Sequence, residues 1–94
     1  MDCADDGSMN FTLSPHAEES MRERGISKAL VEKLSNHPEQ VIPEREGRMA
    51  YQARLTFEGG TEYLLRAIVN DRVDPAVVVT VYRTTKIAKY WRTS

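Results

Sequence analysis

The sequence of 94 residues is long enough for one hydrophobic core and too short for two. Hydrophobic residues make up 40% and charged residues 29% of the chain, which is typical of a globular domain and excludes a disordered chain or a membrane protein. The net charge of −1 argues against a protein that coats nucleic acid nonspecifically.

Charge is distributed unevenly between the two halves of the chain. Residues 1–47 hold five Lys/Arg and ten Asp/Glu, whereas residues 48–94 hold eight and four, so the halves carry about −5 and +4. Two interpretations stay open. Either the first half has acidic, solvated helix faces, or the second half has a basic surface that binds an anion.

Residues 1–9 are polar and show no periodicity, which predicts a disordered leader before a single domain over residues 10–94. The leader is acidic where a secretion signal would be basic and then apolar, so we expect a cytoplasmic protein that does not bind a membrane. Cys3 is the only cysteine, which excludes an internal disulfide and a cysteine-based metal cluster. We expect an exposed, non-functional thiol.

Two amphipathic helices are predicted after a short alternating strand at residues 10–13. Ser14, followed by a proline, is typical of an N-cap, and Gly25 is typical of a C-terminal stop, which together predict a helix over residues 15–24. Ser27 caps a second helix, whose apolar stripe ends before Pro38.

The second half of the chain changes to a period of two, which predicts strands. The pattern starts at Arg48, turns at residues 58–61 and resumes over residues 62–70 as a hairpin. Residues 77–83 are the most β-prone segment and are predicted to form the central strand. We therefore predict an α+β fold, with two N-terminal helices packed on an antiparallel sheet of three or four strands and a short C-terminal helical turn.

Polar side chains alternate with apolar ones along these strands, and the helices can cover only one face of the sheet. The predicted opposite face carries Gln52, Arg54, Arg66, Thr80, Tyr82 and Thr84. If Arg54 and Arg66 share this face, two guanidiniums would bind a phosphodiester and stabilise the charge that grows in its transition state. The alternative is that both are solvated, or pair with Glu58 and Glu62 across the hairpin.

His16 stands at the start of the first helix, where an imidazole can act as a general base or acid near neutral pH. The alternative is an exposed histidine or one with a local hydrogen bond, without a catalytic role.

The last part of the chain, from Tyr82 onward, combines cations with aromatic rings and contains no acidic residue. These residues are Tyr82, Arg83, Lys86, Lys89, Tyr90, Trp91 and Arg92. Nucleobases stack on such rings while cations bind phosphates, which favours RNA binding. The alternative is a helical turn that covers an edge of the core. No phosphate-binding loop, dinucleotide fingerprint or zinc ligand set is present, so no cofactor or metal is predicted.

Several segments together resemble a small bacterial family of domains of unknown function that is grouped with the RelE/ParE toxin-like proteins. They are Leu13–Ala17, Met21–Ile26, His37–Val41, Val78–Thr84 and Lys86–Ile87. The resemblance covers residues 11–91 and implies the fold of RelE-like and barnase-like ribonucleases, in which the helices precede a curved antiparallel sheet.

The resemblance also implies RNA cleavage without a metal, by attack of the 2′-hydroxyl on its own phosphate. The residues that would fill such a site are His16, Arg54, Arg66, Thr80, Tyr82 and Arg83. His16 would be the base or acid, and the arginines would bind the anion. A toxin of this kind would have a small antitoxin-like protein partner. Two alternatives stay open: a non-catalytic module that binds a protein, as ParE-like relatives do, and a domain that has lost its site.

Overall fold

The computed structural model describes residues 11–56 and 59–92. Its elements are β1 (Phe11–Leu13), α1 (Pro15–Arg24), α2 (Lys28–Asn36), β2 (Gln40–Pro43), β3 (Met49–Thr56), β4 (Glu62–Asn70), β5 (Ala76–Thr84) and α3 (Ile87–Tyr90). A 3-10 turn at Arg45–Gly47 joins β2 to β3. The leader expected at residues 1–9, with Cys3, lies outside the described residues. None of the helices in the described ranges is long and apolar enough to cross a bilayer.

Both long helices begin at the predicted caps. The backbone N–H of Ala17 donates to Ser14 Oγ at 3.0 Å, and the N–H of Leu30 donates to Ser27 Oγ at 3.2 Å. Each bond satisfies one of the N–H groups that a helix leaves unpaired in its first turn. Gly25 ends α1 at a φ of +67°, a left-handed conformation that glycine adopts at little cost.

The sheet has five strands in the order β1-β5-β4-β3-β2, so the prediction of three or four strands was too low. Both edges are short strands: β1, of three residues, corresponds to the strand predicted at residues 10–13, and β2 has four residues. The sheet is also mixed, because β1 runs parallel to β5 while the other pairs are antiparallel. Local alternation predicts that β1 is extended, but it does not predict its partner strand.

The central strand is β4, not the β-prone strand β5. Residues 64–67 of β4 are all buried, on both faces of the sheet. Strand propensity favoured β5 because of its valines, but the central position depends on how the strands pair.

Helices α1 and α2 pack on one face of the sheet and form the hydrophobic core there. This face contributes Tyr51, Leu65 and Ala67 from neighbouring strands, and α1 contributes Ala17 and Met21. Because side chains alternate along a strand, the residues next to these three point to the opposite face.

The opposite face is covered as well. Residues 87–92, named here the C-terminal segment, lie across it, and Ala50 and Leu64 on this face are fully buried. From the sequence, the tail could either bind RNA or form a helical turn that covers an edge of the core. The segment instead covers this face of the sheet, because the polar side chains of the face bind it directly.

Candidate functional site around Arg66

Four polar side chains form a row across the face that the C-terminal segment covers. Gln40 on β2 pairs in register with Gln52 on β3, Gln52 with Arg66 on β4, and Arg66 with Tyr82 on β5. Directly opposed residues of neighbouring strands share a face of the sheet, so the four side chains lie next to each other. We call them the Arg66 row.

Arg66 is a buried cation at the centre of this row, with an exposed fraction of only 1%. Its Nε donates to Gln52 Oε1 at 2.8 Å, and its Nη1 donates to the hydroxyl of Tyr82. Nη1 also lies 3.5 Å from Glu44 Oε2, whose side chain is 34% exposed. A buried guanidinium is tolerated when it is ion-paired and hydrogen-bonded, and Arg66 has both kinds of partner.

Two aromatic rings lie against the same guanidinium. Its Cζ is 4.3 Å from the ring centroid of Tyr90 and 5.7 Å from that of Tyr82. The two rings meet edge to face, with centroids 6.4 Å apart. The negative face of an aromatic ring attracts a cation, so Tyr90 both covers Arg66 and interacts favourably with it.

The two glutamine amides hold the backbone of the C-terminal segment. Gln52 Nε2 donates to Gln40 Oε1 at 2.8 Å and to the carbonyl of Tyr90 at 3.1 Å. Gln40 Nε2 donates to the carbonyl of Arg92 at 2.5 Å, and Gln40 Oε1 accepts from the Arg92 N–H at 3.0 Å. One side-chain amide therefore contacts both backbone groups of a single residue.

Arg54 lies on the same face as Arg66, as the strand alternation predicts, because Gln52 pairs with Arg66 and Arg54 is two residues further along β3. Its guanidinium lies over the ring of Trp91, 4.3 Å from Cζ to the centroid, and its Nε donates to Glu39 Oε1 at 3.3 Å. Arg54 thus pairs with Glu39, which lies outside the hairpin. Glu58, one of the predicted hairpin partners, lies outside the described residues.

Two ionisable groups near this face have shifted pKa values. The backbone N–H of Arg54 donates to Glu39 Oε1, which lowers the pKa of Glu39 below its ordinary value of 4.5. Burial raises the pKa of Tyr82, although the hydrogen bond and the charge of Arg66 act in the opposite direction. The Tyr82 phenol is therefore protonated at neutral pH and can donate a proton.

His16 is not brought together with Arg66. It is exposed at the start of α1, and α1 packs on the core face of the sheet, whereas the Arg66 row lies on the opposite face. The sequence places His16 at a helix start, but only the layer on which that helix packs decides what the side chain meets.

Two further predicted site residues on β5 also have other neighbours. Thr80 Oγ1 lies 3.3 Å from Ser20 Oγ of α1. The pairing of β4 and β5 shifts between Ile68 and Val69, so simple alternation does not hold along β5. Arg83 pairs in register with Leu65, a core residue, and lies 5.1 Å from the ring centroid of Tyr63. Thr80 and Arg83 therefore do not join the Arg66 row.

The cations of the tail remain at the surface. Lys86, Lys89 and Arg92 are exposed, and Lys89 Nζ lies 5.3 Å from the ring centroid of Tyr90. These side chains surround the covered face without entering it.

Glu44 and Gln40 are the site residues that sequence reasoning missed. Gln40 begins the four-residue edge strand β2, and Glu44 follows its last residue. From the sequence, Val41 and Ile42 between two prolines are predicted only as a short strand or an extended link. Their alternation with Ile42 does place them on one face, but the pairing of β2 with β3 is needed to bring that face next to Arg66. In the described ranges, no group of three His, Cys, Asp or Glu side chains is close enough to hold a metal ion.

A comparison with family models gives one match, described as "Domain of unknown function (DUF4258)", over residues 13–83. The match includes the whole Arg66 row and Glu44, and it ends before the C-terminal segment. Comparisons with curated proteins and with solved structures give no match. Since the matched residues make up most of the chain, the protein belongs to the DUF4258 family.

Proposed function

We propose that this domain binds RNA on the face of the Arg66 row and cleaves it without a metal ion. The observation that carries the proposal is the contact of one guanidinium with a carboxylate, Glu44, and a phenol, Tyr82. A base, an anion-stabilising cation and an acid are the groups that cleavage through the RNA 2′-hydroxyl requires. The resemblance to RelE-like ribonucleases supports the same reaction class, as an analogy between folds.

Each residue has one role in the proposed reaction. The carboxylate of Glu44 takes the proton of the 2′-hydroxyl, whose oxygen then attacks the adjacent phosphorus. Arg66 stabilises the negative charge on the non-bridging oxygens, as a planar guanidinium can contact two of them. Tyr82 gives its proton to the 5′-oxygen as the P–O bond breaks. The products are a 2′,3′-cyclic phosphate and a 5′-hydroxyl. At the end of the step Glu44 has gained one proton and Tyr82 has lost one.

The role first expected of His16 passes to Glu44 in this proposal, because Glu44 contacts Arg66 and is partly exposed. Arg66 itself is almost fully buried under Tyr90. A phosphate therefore reaches Arg66 only when the C-terminal segment moves away from the face.

The test is incubation of the purified chain with labelled single-stranded RNA in EDTA. Glu44→Gln and Tyr82→Phe each change few atoms, and each is expected to lower the cleavage rate by about 100-fold or more. His16→Ala is the matched control and is expected to leave the rate unchanged. If neither the unaltered chain nor a Trp91→Ala variant with a loosened segment cleaves RNA, or if Glu44→Gln cleaves as fast as the unaltered chain, the proposed reaction is wrong.

A second function, a non-catalytic module that binds a protein partner, is favoured by a different observation. Three groups of the protein itself bind the Arg66 guanidinium, and a fourth covers it, which is how a structural cation is held. The exposed Lys86, Lys89 and Arg92 would then contact an acidic surface, for example that of a small antitoxin-like protein. This function predicts that Glu44→Gln leaves the cellular effect of the protein intact, while replacement of the three tail cations by alanine abolishes it.

A further inference from the structure

Two consecutive aromatic residues of the C-terminal segment stack on two guanidiniums of the sheet. Tyr90 lies over Arg66 and Trp91 lies over Arg54, each with 4.3 Å between Cζ and the ring centroid. Both arginines point to the same face from neighbouring strands. Planar guanidiniums stack on any flat π-system, and nucleobases bind to arginine in this way in single-stranded RNA complexes.

The two glutamines of the Arg66 row bind backbone N–H and C=O groups of the C-terminal segment. Gln40 accepts from the N–H of Arg92 and donates to its carbonyl, while Gln52 donates to the carbonyl of Tyr90. The edge of a nucleobase offers the same combination of an N–H donor beside an acceptor atom, and a glutamine amide can pair with it through two hydrogen bonds.

We propose that the face under the C-terminal segment is a binding site for two adjacent nucleobases of single-stranded RNA, which the rings of Tyr90 and Trp91 occupy in the absence of RNA. Arg66 and Arg54 stack on the bases, and Gln40 and Gln52 select among them. This inference rests on the proposed RNA function and adds its substrate class and its specificity residues. The C-terminal segment acts as an internal competitor of RNA.

The segment is attached weakly enough to be displaced. Its helix α3 has only four residues and no side-chain cap, and Tyr90 and Trp91 are both partly exposed. Its backbone is held mainly by the two glutamine amides. Two exposed cations of the segment, Lys89 and Arg92, and Lys86 directly before it remain available to attract the RNA phosphates once the segment has moved.

The single tryptophan of the chain provides a test on the unaltered protein. A 2′-O-methyl oligonucleotide of about ten nucleotides, which has no free 2′-hydroxyl, is added until binding is saturated. We expect acrylamide to quench the fluorescence of Trp91 more strongly in the complex, because the bases displace its ring from Arg54. Binding that leaves the quenching of Trp91 unchanged would overturn the inference.

Variants separate stacking and base selection from charge. Arg54→Lys keeps the charge but loses the planar face. In a Trp91→Ala background, where no internal ring competes for Arg54, it is expected to weaken oligonucleotide binding about tenfold, the loss of one stacked base. The matched control is Arg24→Lys, at an exposed position on the core side of the sheet, which is expected to bind as the unaltered chain does. Gln40→Ala is expected to reduce the differences in Kd among the four homopolymers. Equal affinities of Trp91→Ala with and without Arg54→Lys would contradict the stacking role.

The double variant Tyr90→Ala, Trp91→Ala tests the competition, and circular dichroism checks that it is folded. It is expected to bind the oligonucleotide about tenfold more tightly than the unaltered chain, since no internal rings have to be displaced. Absence of binding by both proteins would overturn the inference; if the double variant does not fold, the Trp91 measurement decides. The oligonucleotide cannot be cleaved, so it tests binding separately from the reaction. If it binds and releases Trp91 but unmodified RNA is not cleaved, the proposed reaction is wrong and the inferred binding site still holds.

Discussion

The ring of Tyr90 lies over the guanidinium of Arg66, with 4.3 Å between the ring centroid and Cζ. This contact joins the C-terminal segment to the central strand of the sheet and removes a cation from water. The free energy of unfolding therefore depends on whether the buried guanidinium keeps its hydrogen-bond partners, because an unpaired buried charge is costly.

Gln52→Leu is expected to lower the free energy of unfolding by about 2–4 kcal/mol. Gln52 is fully buried, and its replacement leaves Arg66 Nε without an acceptor and the carbonyl of Tyr90 without a donor. Urea unfolding followed by circular dichroism measures the change. Gln40→Leu, on the partly exposed edge strand, is the control and is expected to cost about 1 kcal/mol. Equal and small losses for both variants would show that Gln52 does not stabilise Arg66.

Leu64→Ala is expected to destabilise the domain as much as Leu65→Ala, by about 2–5 kcal/mol each. Both leucines are fully buried on β4: Leu65 belongs to the core under the helices, and Leu64 points to the opposite face, which the C-terminal segment crosses. Thermal or urea unfolding of the two variants makes the comparison. A cost of Leu64→Ala below about 1 kcal/mol would mean that the segment does not cover its face in solution.

Glu39→Gln is expected to destabilise the protein at neutral pH and to have no effect in acid. The pKa of Glu39 is lowered in the folded state, so the stabilisation is fully present above its ordinary value of 4.5 and is lost as the pH falls through the folded-state value. The pair with Arg54 is largely solvent-exposed, so screening limits the effect at pH 7 to about 0.5 kcal/mol.

Urea unfolding of Glu39→Gln and the unaltered chain over the pH range 3–7 measures this difference. Glu32→Gln, at an exposed position on α2, serves as the control for the loss of one negative charge. A difference between Glu39→Gln and the unaltered chain that grew as the pH fell would have the wrong sign for this explanation.

Gly47→Ala is expected to cost more than Gly25→Ala. Both glycines have a positive φ, of +76° and +67°, so alanine is strained at either position by about 1 kcal/mol. A Cβ at residue 25 meets no atom within 4 Å, whereas a Cβ at residue 47 clashes with Arg72 Nη1 and displaces that side chain. The double variant with Arg72→Ala is expected to bring the cost of Gly47→Ala down to that of Gly25→Ala, as measured by a double-mutant cycle.

The parts of the fold that depend on nearby residues could be predicted from the sequence. Ser14 and Ser27 cap the two helices as expected, and the alternation after residue 47 places Arg54 and Arg66 on one face. These features follow from hydrogen bonds within a turn and from the two-residue period of a strand. Pairing of distant strands, such as β1 with β5, has no local signal.

The candidate site could be predicted only in part, for a related reason. Gln52, Arg66 and Tyr82 form a row because three strands pair in one register. Alternation along each strand predicts that the three side chains share a face, but it does not predict the register. Glu44 joins Arg66 through the pairing of an edge strand, and His16 is excluded by the layer on which its helix packs. Both are properties of tertiary packing, and neither leaves a periodic pattern in the sequence.

The hydroxyl of Ser14 donates to the carbonyl of Val79, a residue 65 positions further along the chain, where β1 lies beside β5. The first described strand can find its partner only after the ribosome has released almost all of the described chain. Hairpin formation by β3 and β4 is local and fast, whereas closure of this long loop carries a larger entropic cost. We therefore expect the attachment of β1 to be among the late steps of folding.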